Sequence, residues 1–577
     1  MKRIGLLFLS LLLMPSLQAQ DIAGDFSLLD QDGTYFQLSR HRNRQAVVLL
    51  AEGANCSSFS GTVAQFESID SQYTDGADGF EFLLINATGE QNRAVLQSQS
   101  EAYGDLPVLM DESQLVSEML GVSTIGEAVV LDPRSLAVLY RGSVSNLDRA
   151  LGEIASGNAV SEAHTASPGC NLSFAARDHH ASNPVSYSQD IAPLLEENCA
   201  RCHRDGGIGL FAMDSHQMIR AWAPLIKNAI LTQRMPPAQT DPHIGNALLD
   251  NRFLSRDQRQ QLVHWIDAGA VKDTDADPLA ALEWPATGWP LGEPDVVVKL
   301  PPQEIPATGH LGLIWVDTGY VFEKDTWLKG ATTIPGARSV VHHTAARVVP
   351  NGESPDMAGG SSMPAWGPGM NARFLGEGTG VFIPEGHRLF LNMHYTPNGT
   401  ATVDATEYGM YFHEDGFKPT HELILGGVVL RGGFEVPPHD ENYDIVRTSA
   451  PVPQDAYAVA FLIHMHYRGK RAKWTAQYPD GTEEVLFSVP NYDFNWQPIY
   501  DLTEPEFIPA GTTFLVEGAY DNSAMNPNNP DPNVTVVWGA MDSTEEMFGA
   551  RVLLKVPVSN DDEARNRSDS VNVPVVL

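Results

Sequence analysis

Residues 199–203 read Cys-Ala-Arg-Cys-His, and this motif constrains the fold more than any other feature of the chain. Two thiols at this spacing add to the vinyl groups of a porphyrin, and the histidine that follows ligates the iron. A zinc site is the alternative, but the sequence has no second Cys pair to complete one. We therefore predict a covalent c-type haem on Cys199, Cys202 and His203, carried by a small helical domain.

The N-terminus has the composition of a secretory signal peptide. Basic residues Lys2 and Arg3 precede a mostly apolar run over residues 4–14, and Leu17-Gln18-Ala19 ends in a small residue. We expect residues 1–19 to be removed after Ala19. No other segment approaches the roughly 20 apolar residues that a membrane span needs. The sequence thus predicts a periplasmic or secreted protein without a membrane span, which suits covalent haem attachment.

Charge and cysteine content narrow the function further. The chain has 37 basic and 72 acidic residues, a net charge of −35, which argues against nucleic acid as a partner. Only four cysteines occur. Cys56 and Cys170 remain once the haem pair is assigned, and in an oxidising compartment they can form a disulfide or act as redox thiols.

Residues 20–152 form the first predicted domain. Strand-like apolar runs at 46–50, 80–85, 128–131 and 137–140 alternate with helix-compatible stretches, which indicates an α/β unit. The opening Phe26-Ser27-Leu28-Leu29-Asp30, the strand leading into Cys56 and the Val129-Val130-Leu131-Asp132 hairpin resemble the thioredoxin-like redoxin family. Ser57 and Ser58 follow Cys56, and Ile125 stands where that family usually has a cis-proline. These departures favour a structural or docking module over a working redoxin.

A linker is predicted at 153–184 and a small helical domain at 185–272, with helices over 191–198, 215–232 and 255–268 and with Ser255 as a cap. Together with the haem motif, Arg234-Met235-Pro236-Pro237 and Trp265-Ile266-Asp267-Ala268-Gly269-Ala270 resemble cytochrome c domains fused to redoxins. That resemblance implies Met235 as the sixth iron ligand. The other candidate iron ligands are Met213, Met218, His216 and His243.

The remainder of the chain is predicted to be all β. An acidic, proline-rich linker spans 273–292, and strand-length apolar segments then recur between Gly, Pro and Asn turns. We expect two jelly-roll-like sandwiches, at 293–428 and 429–558, followed by a flexible tail at 559–577. The predicted fold class is therefore multidomain: an α/β thioredoxin-like domain, a small all-α domain and two all-β sandwiches.

Histidines cluster in this β half. His464 and His466 stand two apart, so in a strand both project from one face and can bind one metal ion. The adjacent His342 and His343 would point to opposite faces unless a bulge or a strand end intervenes. His394 is the third member of the pattern. The isolated histidines of the β half are expected to be core or surface residues: His310, His387, His413, His421 and His439.

The order of these histidines resembles the copper type II monooxygenases, the family of the peptidylglycine α-hydroxylating and dopamine β-monooxygenases. The resemblance implies two copper ions. His342, His343 and His394 would hold one, and His464, His466 and Met547 would hold the other, at the catalytic site. Met541 is the runner-up for Met547. Imidazole with thioether suits copper that cycles between Cu(I) and Cu(II).

The substrate-gripping residues of the peptidylglycine enzymes are replaced here by Leu462, Gly549 and Arg551. The sequence therefore predicts hydroxylation of a C–H bond in another small organic molecule with O₂. Electrons would come from the attached haem, or from a periplasmic donor such as an ascorbate-like reductant or a cytochrome. One alternative is a non-catalytic haem and copper protein for electron transfer or copper handling. Another is a thiol peroxidase acting through Cys56.

Overall fold

The computed structural model describes residues 22–73, 79–205, 207–249, 252–283, 288–355, 361–367, 370, 372–430 and 432–558. The predicted signal peptide (1–19) and tail (559–577) lie outside the described residues. Within them the chain is multidomain, with a thioredoxin-like fold, extensive β-sandwich sheets and few helices. No helix among the described residues has both the length and the apolar character needed to cross a membrane.

The first unit is built on a five-stranded sheet. Its strands and those of a small hairpin are β1 (Ser27–Leu29), β2 (Tyr35–Gln37), β3 (Val47–Glu52), β4 (Glu81–Asn86), β5 (Val108–Leu109), β6 (Glu127–Asp132) and β7 (Ala137–Ser143). The sheet order is β5-β4-β3-β6-β7, with β3, β4 and β5 parallel and with β6 and β7 antiparallel to their neighbours. This topology confirms the predicted thioredoxin-like fold.

Helices cover both faces of that sheet. They are α1 (Phe59–Tyr73), α2 (Arg93–Ser100), α3 (Leu115–Met119) and α4 (Leu147–Ala155), with 3-10 turns at Leu38–His41 and Val144–Asn146. All six residues of β3 are buried, as expected of a central strand in a sheet that helices cover on both faces. One hydrophobic cluster lies on each face of the sheet, the first around Leu50 and the second around Leu49.

A helical region follows. It contains α5 (Ala175–Ser182), α6 (Ala192–Leu195), α7 (His216–Leu231) and α8 (Arg256–Asp267), with π-helical turns at Tyr187–Ile191 and Glu196–Ala200 and a 3-10 turn at Leu279–Ala281. Ser255 caps α8 in a reciprocal arrangement: its side chain accepts the Gln258 amide, and the Gln258 side chain accepts the Ser255 amide. Leu195, Leu262 and Trp265 lie in the core that these helices enclose.

Twenty strands make up the β half. They are β8 (Val296–Lys299), β9 (Gln303–Ile305), β10 (Ile314–Val321), β11 (Thr326–Ile334), β12 (Val341–Pro350), β13 (Ser361–Trp366), β14 (Thr379–Ile383), β15 (His387–Tyr395), β16 (Thr402–Asp404), β17 (Glu407–Phe412), β18 (His421–Leu430), β19 (Glu435–Val436), β20 (Tyr443–Thr448), β21 (Ala456–His464), β22 (Gly469–Gln477), β23 (Glu483–Val489), β24 (Tyr500–Ile508), β25 (Thr513–Tyr520), β26 (Val536–Val537) and β27 (Phe548–Pro557).

One eight-stranded sheet, in the order β24-β21-β27-β18-β14-β11-β17-β8, runs through both sandwiches. Two four-stranded sheets, β10-β15-β12-β13 and β20-β25-β22-β23, complete them, and each sandwich has its own hydrophobic core. Parallel pairing of β14 with β18 joins the two halves. The boundary predicted at 428/429 falls inside β18, whose whole length pairs with β27 of the second sandwich, so the structure divides the halves before His421.

Candidate metal centre and haem motif

The first histidine set lies on two paired strands. His342 and His343 are at the start of β12, and His394 is near the end of β15, where it pairs directly with His343. The register shifts between Val341 and His343, which is the bulge that adjacent histidines need in order to turn toward one point. One ring nitrogen from each of the three histidines lies within 4.8 Å of the others.

The closest contacts within this set are made by His394. Its Nδ1 lies 3.2 Å from His342 Nδ1 and 3.2 Å from His343 Nε2. His342 Nε2 is buried and has no hydrogen-bond partner in the described part of the chain. Three imidazole nitrogens that converge in this way are a donor set that can hold a metal ion.

The second set lies where β21 ends. His464 is the last residue of that strand and pairs with Gly549 of β27. Met547 lies two residues before Gly549 and is 5% exposed. The buried Glu546 carboxylate accepts the amides of His466 (2.7 Å) and Arg468 (2.8 Å) and so holds the turn after the strand. Burial raises the pKa of Glu546 to about 8, against these hydrogen bonds.

The two sets are neighbours. The His343 and His464 rings are 5.9 Å apart between centroids, and the His464 and His466 rings are 5.4 Å apart. The Phe494 ring stacks on His342 at 5.0 Å and also contacts the rings of His394 and His466. The structure thus brings all five predicted histidine ligands into one array that spans both sandwiches.

Three residues that orient the histidines were missed in the sequence. Gln497 Oε1 lies 2.6 Å from His464 Nδ1, and Asp542 Oδ2 lies 3.3 Å from His394 Nε2. Phe494 and Gln497 belong to the connection between β23 and β24. The only sequence signal for Asp542 was its place five residues before Met547.

Burial favours the neutral form of four of the five histidines. It lowers the pKa of His342 to about 3, of His464 to about 4 and of His466 to about 3, and it lowers that of His343 well below the usual value. Neighbouring histidines add to the shifts. For Asp542, burial opposes ionisation, yet the hydrogen bond and charge interaction with His394 lower its pKa. Neutral imidazoles are the form that binds metals.

These shifts predict how the stability of the metal-free chain depends on pH. The unfolded chain takes up protons on these histidines below about pH 6.5, whereas the folded chain does not, so stability falls as the pH drops from 6.5 toward 4. The expected loss at pH 5.5 is about 1 kcal/mol for each histidine. Denaturant unfolding at pH 7.5 and 5.5 measures it. Equal stability at the two pH values would contradict the buried, neutral array.

The haem motif forms one helical turn. The amides of Cys202 and His203 both donate to the Cys199 carbonyl, at 3.1 and 2.9 Å. His203 Nδ1 lies 3.1 Å from the Phe211 carbonyl, which leaves Nε2 for iron. A Cβ on Gly209 would come within 2.5 Å of the His203 ring, so the glycine lets this loop close over the histidine. Both thiols, Cys199 and Cys202, are free.

Met235 lies in the loop after α7 and is 42% exposed. It lines an open pocket together with Ile230, Phe253 and Leu254. Two of the other candidate iron ligands already have polar partners. His216 Nε2 lies 2.8 Å from the Ala270 carbonyl, and His243 Nε2 lies 2.7 Å from Glu112. Met213 is buried in the helical core, and Met218 is half-buried on α7.

One contact connects the helical region to the neighbourhood of the second histidine set. On the Met235 side of the helical region, Gln239 Nε2 donates to the carbonyls of Asp493 and Trp496, which flank Phe494 and precede Gln497. The structure therefore places the segment after Met235 against the segment that carries Phe494 and Gln497.

Cys56 and Cys170 form a disulfide that closes a loop of 114 residues. Cys56 precedes α1, and Cys170 belongs to the segment that leaves the first unit. Of the two alternatives for these cysteines, the structure contains the disulfide.

Comparisons with known proteins cover only parts of the chain. No protein-family model matches it. Among curated proteins, it is similar to the hydrazine synthase subunit alpha of Kuenenia stuttgartiensis, at 28% identity over 130 residues. That alignment covers 16% of this chain and 16% of the relative, so the chain spans about a sixth of the length of the curated protein it matches.

Three solved structures are similar to about a quarter of the chain. A hypothetical protein from Sinorhizobium meliloti matches at 22% identity and a TM-score of 0.23, covering 27% of this chain and 95% of its own. A peroxidoxin from Mycobacterium tuberculosis matches at 22% identity and a TM-score of 0.20, covering 24% and 96%. A thioredoxin-like protein from Aeropyrum pernix matches at 21% identity and a TM-score of 0.19, covering 23% and 89%.

Proposed function

We propose that this protein is an extracytoplasmic copper-dependent monooxygenase that hydroxylates a C–H bond of a small organic molecule with O₂. The observation that carries the proposal is the array of five histidines, whose neighbouring rings link the two sandwiches at 5.9 Å between His343 and His464. Buried, neutral imidazoles with a thioether nearby are a donor set suited to copper in both oxidation states.

The donor atoms divide into two sites. His342, His343 and His394 would hold one copper ion, and His464, His466 and Met547 would hold the other. Bound copper would supply one-electron redox chemistry and activation of O₂. Because Tyr520 donates to the Met547 carbonyl at 2.6 Å, the backbone that carries the proposed thioether ligand is held in place.

The surrounding side chains orient the ligands and limit access of water. His466 Nδ1 lies 2.9 Å from the Glu545 carbonyl, so Nε2 is the nitrogen left for a metal. The Asp542 carboxylate faces Nε2 of His394. This leaves His394 Nδ1, which faces the other two histidines, for a metal. The Phe494 ring covers the array on one side, since it touches three of its five histidines.

The residues of the haem motif fit a c-type haem. Two free thiols one helical turn apart precede a histidine whose Nδ1 already faces a carbonyl oxygen. Leu210, seven residues after His203, is 99% exposed, and an exposed apolar side chain so close to the motif suits the covering of an apolar ring. Bound haem would supply single electrons. We propose His203 and Met235 as its axial ligands.

A contact made by the segment after Met235 supports electron delivery within the chain. Gln239, four residues after Met235, bonds to the segment that carries Phe494 and Gln497. We propose that electrons from a periplasmic donor enter at the haem and pass to the histidine sites.

The pairing around His464 bears on the substrate. Leu462 pairs with Arg551, and His464 pairs with Gly549. Leu462, Gly549 and Arg551 occupy the three positions at which the peptidylglycine enzymes bind the substrate carboxylate. Leucine and glycine offer no side-chain donor, so we propose a substrate other than a C-terminal glycine peptide.

A second candidate function, non-catalytic electron transfer or copper handling, is favoured by the closeness of the two sets. Rings 5.9 Å apart, with Phe494 packed against three histidines, leave little room for a substrate between them.

Oxygen consumption and hydrogen peroxide release by the copper-loaded, haem-reduced protein test the proposal, with and without candidate substrates. We expect substrate-coupled O₂ uptake that Met547→Ala reduces at least about 100-fold, because the thioether ligand is lost. Met525→Ala, in a loop outside the array, is the matched control. Full copper loading with no O₂ uptake for any substrate would instead support electron transfer.

Asp542→Asn tests the orienting role of that carboxylate. The amide keeps the size of the side chain but loses the charge that faces His394. We expect the copper affinity of the first site to fall about 10- to 100-fold, as for other residues that hold a metal-bound histidine. A titration against a copper chelator measures it, with the exposed Asp480→Asn as control. Unchanged affinity would show that Asp542 does not orient His394.

A further inference from the structure

A segment of the helical region lies along the edge of the second sandwich. We call residues 239–249 the strap. The Leu249 amide donates to the Asp501 carbonyl and the Thr503 amide donates to the Ala247 carbonyl, each at 2.8 Å. Asp501 and Thr503 belong to β24, the end strand of the eight-stranded sheet, so the strap pairs with the outer edge of that sheet.

The strap also contacts the other sheet of that sandwich. The Asp241 amide donates to the Ser488 carbonyl at 3.0 Å. A Cβ on Gly245 would come within 2.0 Å of the Leu486 carbonyl oxygen, so the two backbones lie in direct contact there. Ser488 and Leu486 belong to β23, the end strand of the sheet β20-β25-β22-β23. The strap therefore joins the edges of the two sheets, and the helical region supplies a structural part of the second sandwich.

Gln239 stands at the start of the strap and is 6% exposed. Its Nε2 donates to the carbonyls of Asp493 and Trp496, each at 3.1 Å. Its Oε1 accepts the Tyr500 hydroxyl at 3.4 Å. Asp493 and Trp496 lie in the connection between β23 and β24, and Tyr500 begins β24. One buried side chain thus holds this connection at three points, and its own polar atoms are satisfied in doing so.

The connection contains Phe494 and Gln497. Gln497 Nε2 donates to the Phe494 carbonyl at 2.7 Å, so Oε1 is the atom that faces His464 Nδ1 at 2.6 Å. His464 Nδ1 therefore donates this hydrogen bond, and Nε2 keeps the lone pair that can bind a metal. One carbonyl held by Gln239 directly precedes Phe494 and the other directly precedes Gln497, so Gln239 restrains both side chains at their backbone.

We propose that Gln239 is a positioning residue for the second histidine site. By holding the connection between β23 and β24, it fixes Gln497 against His464, and His464 keeps the tautomer that leaves Nε2 for copper. The inference rests on the proposed function, because that function assigns copper to this site. It adds that a residue of the helical region, outside the two sandwiches, orients a ligand of the copper ion.

Copper binding to full-length variants tests the proposal. Gln239→Met keeps the length of the side chain and removes its polar atoms. Gln239→Glu keeps an oxygen for the Tyr500 hydroxyl and loses the amide group that donates both bonds. Each is made in the His394→Ala chain, which lacks the central donor of the first site, so that copper(II) chloride reports on the second site.

The readouts are competition with a copper chelator and the electron paramagnetic resonance spectrum of bound Cu(II). We expect the affinity of the second site to fall about 10-fold in both variants, the lower end of the range for residues that hold a metal-bound histidine, because Gln239 acts through Gln497. We also expect the copper hyperfine splitting to change, since the spectrum reports the orientation of the ligands.

Asn246→Ala is the matched control. Asn246 belongs to the same strap, and its exposed side chain donates to Glu506 near the far end of β24. We expect the affinity and the spectrum of the parent chain. The proposal would be overturned if both Gln239 variants kept the parent affinity and spectrum, even with lower thermal stability, because Gln239 would then only stabilise the fold. An equal change in Asn246→Ala would overturn it too.

Hydrogen exchange on the metal-free chain gives a measurement that does not depend on copper. We expect Gln239→Met to speed exchange in residues 490–499 and to leave β25, in the same sandwich, unchanged. Equal exchange over residues 490–499 in the parent and the variant would overturn the proposal. If exchange rose as expected but the parent chain bound no copper, the proposed function would be wrong, and the role of Gln239 toward copper would be overturned with it.

Discussion

His394→Ala is expected to reduce the bound copper from two ions to one per chain. His394 Nδ1 is the nitrogen that lies 3.2 Å from both of its partners, so its loss leaves two imidazoles that share no third donor. We expect the affinity of this site to fall by more than about 100-fold, beyond the range seen for residues that only orient a ligand. Metal analysis after dialysis against a chelator measures the ratio.

His421→Ala is the matched control for that experiment. This histidine lies at the start of β18, where its Nδ1 is 3.0 Å from the Thr420 hydroxyl, and it makes no contact with the array. It should retain both copper ions. If His394→Ala also retained both ions with unchanged affinity, the three-histidine site would be wrong.

Replacing both Cys199 and Cys202 by serine is expected to abolish covalent haem. The two thiols lie one helical turn apart beside His203, and serine hydroxyls do not form the thioether bonds. The intact mass of the purified chain and a haem stain on a denaturing gel report attachment. We expect complete loss, together with loss of electron delivery to the histidine sites.

Cys56→Ser with Cys170→Ser is the control for this second prediction. It removes the disulfide of the first unit and should leave the mass of one haem on the chain. A wild-type chain that matures with no haem at all, in cells that attach haem to other proteins, would overturn the assignment of the motif.

Local sequence patterns were sufficient for much of the fold. Ser255 predicted the start of α8, and the structure contains a reciprocal cap between Ser255 and Gln258. The alternation of apolar runs predicted the first unit, because a buried strand such as β3 must be apolar on both faces. The division of the β half was less predictable. No local pattern in the residues of β18 shows which sandwich the strand belongs to. Its pairing with β27 assigns it to the second sandwich.

The histidine array, too, could be predicted only in part from local sequence patterns. The pattern of five histidines and one methionine predicted the candidate ligands, and the need for a bulge at His342 followed from the two-residue period of a strand. Asp542, Phe494 and Gln497 could not be assigned in this way, because each acts on a histidine far from it in the chain.

The sequence by itself determined which reactive side chains each segment carries: a Cys-x-x-Cys-His motif, clustered imidazole and thioether groups, and two further cysteines able to pair. Side-chain type is a local property, so these assignments required no knowledge of the fold. Only the tertiary structure decided which groups meet. It brought the rings of His343 and His464 to 5.9 Å between centroids, and it laid residues 163–172 along the first unit to join Cys170 to Cys56. Such contacts depend on strand register and on packing between distant segments, which no local pattern encodes.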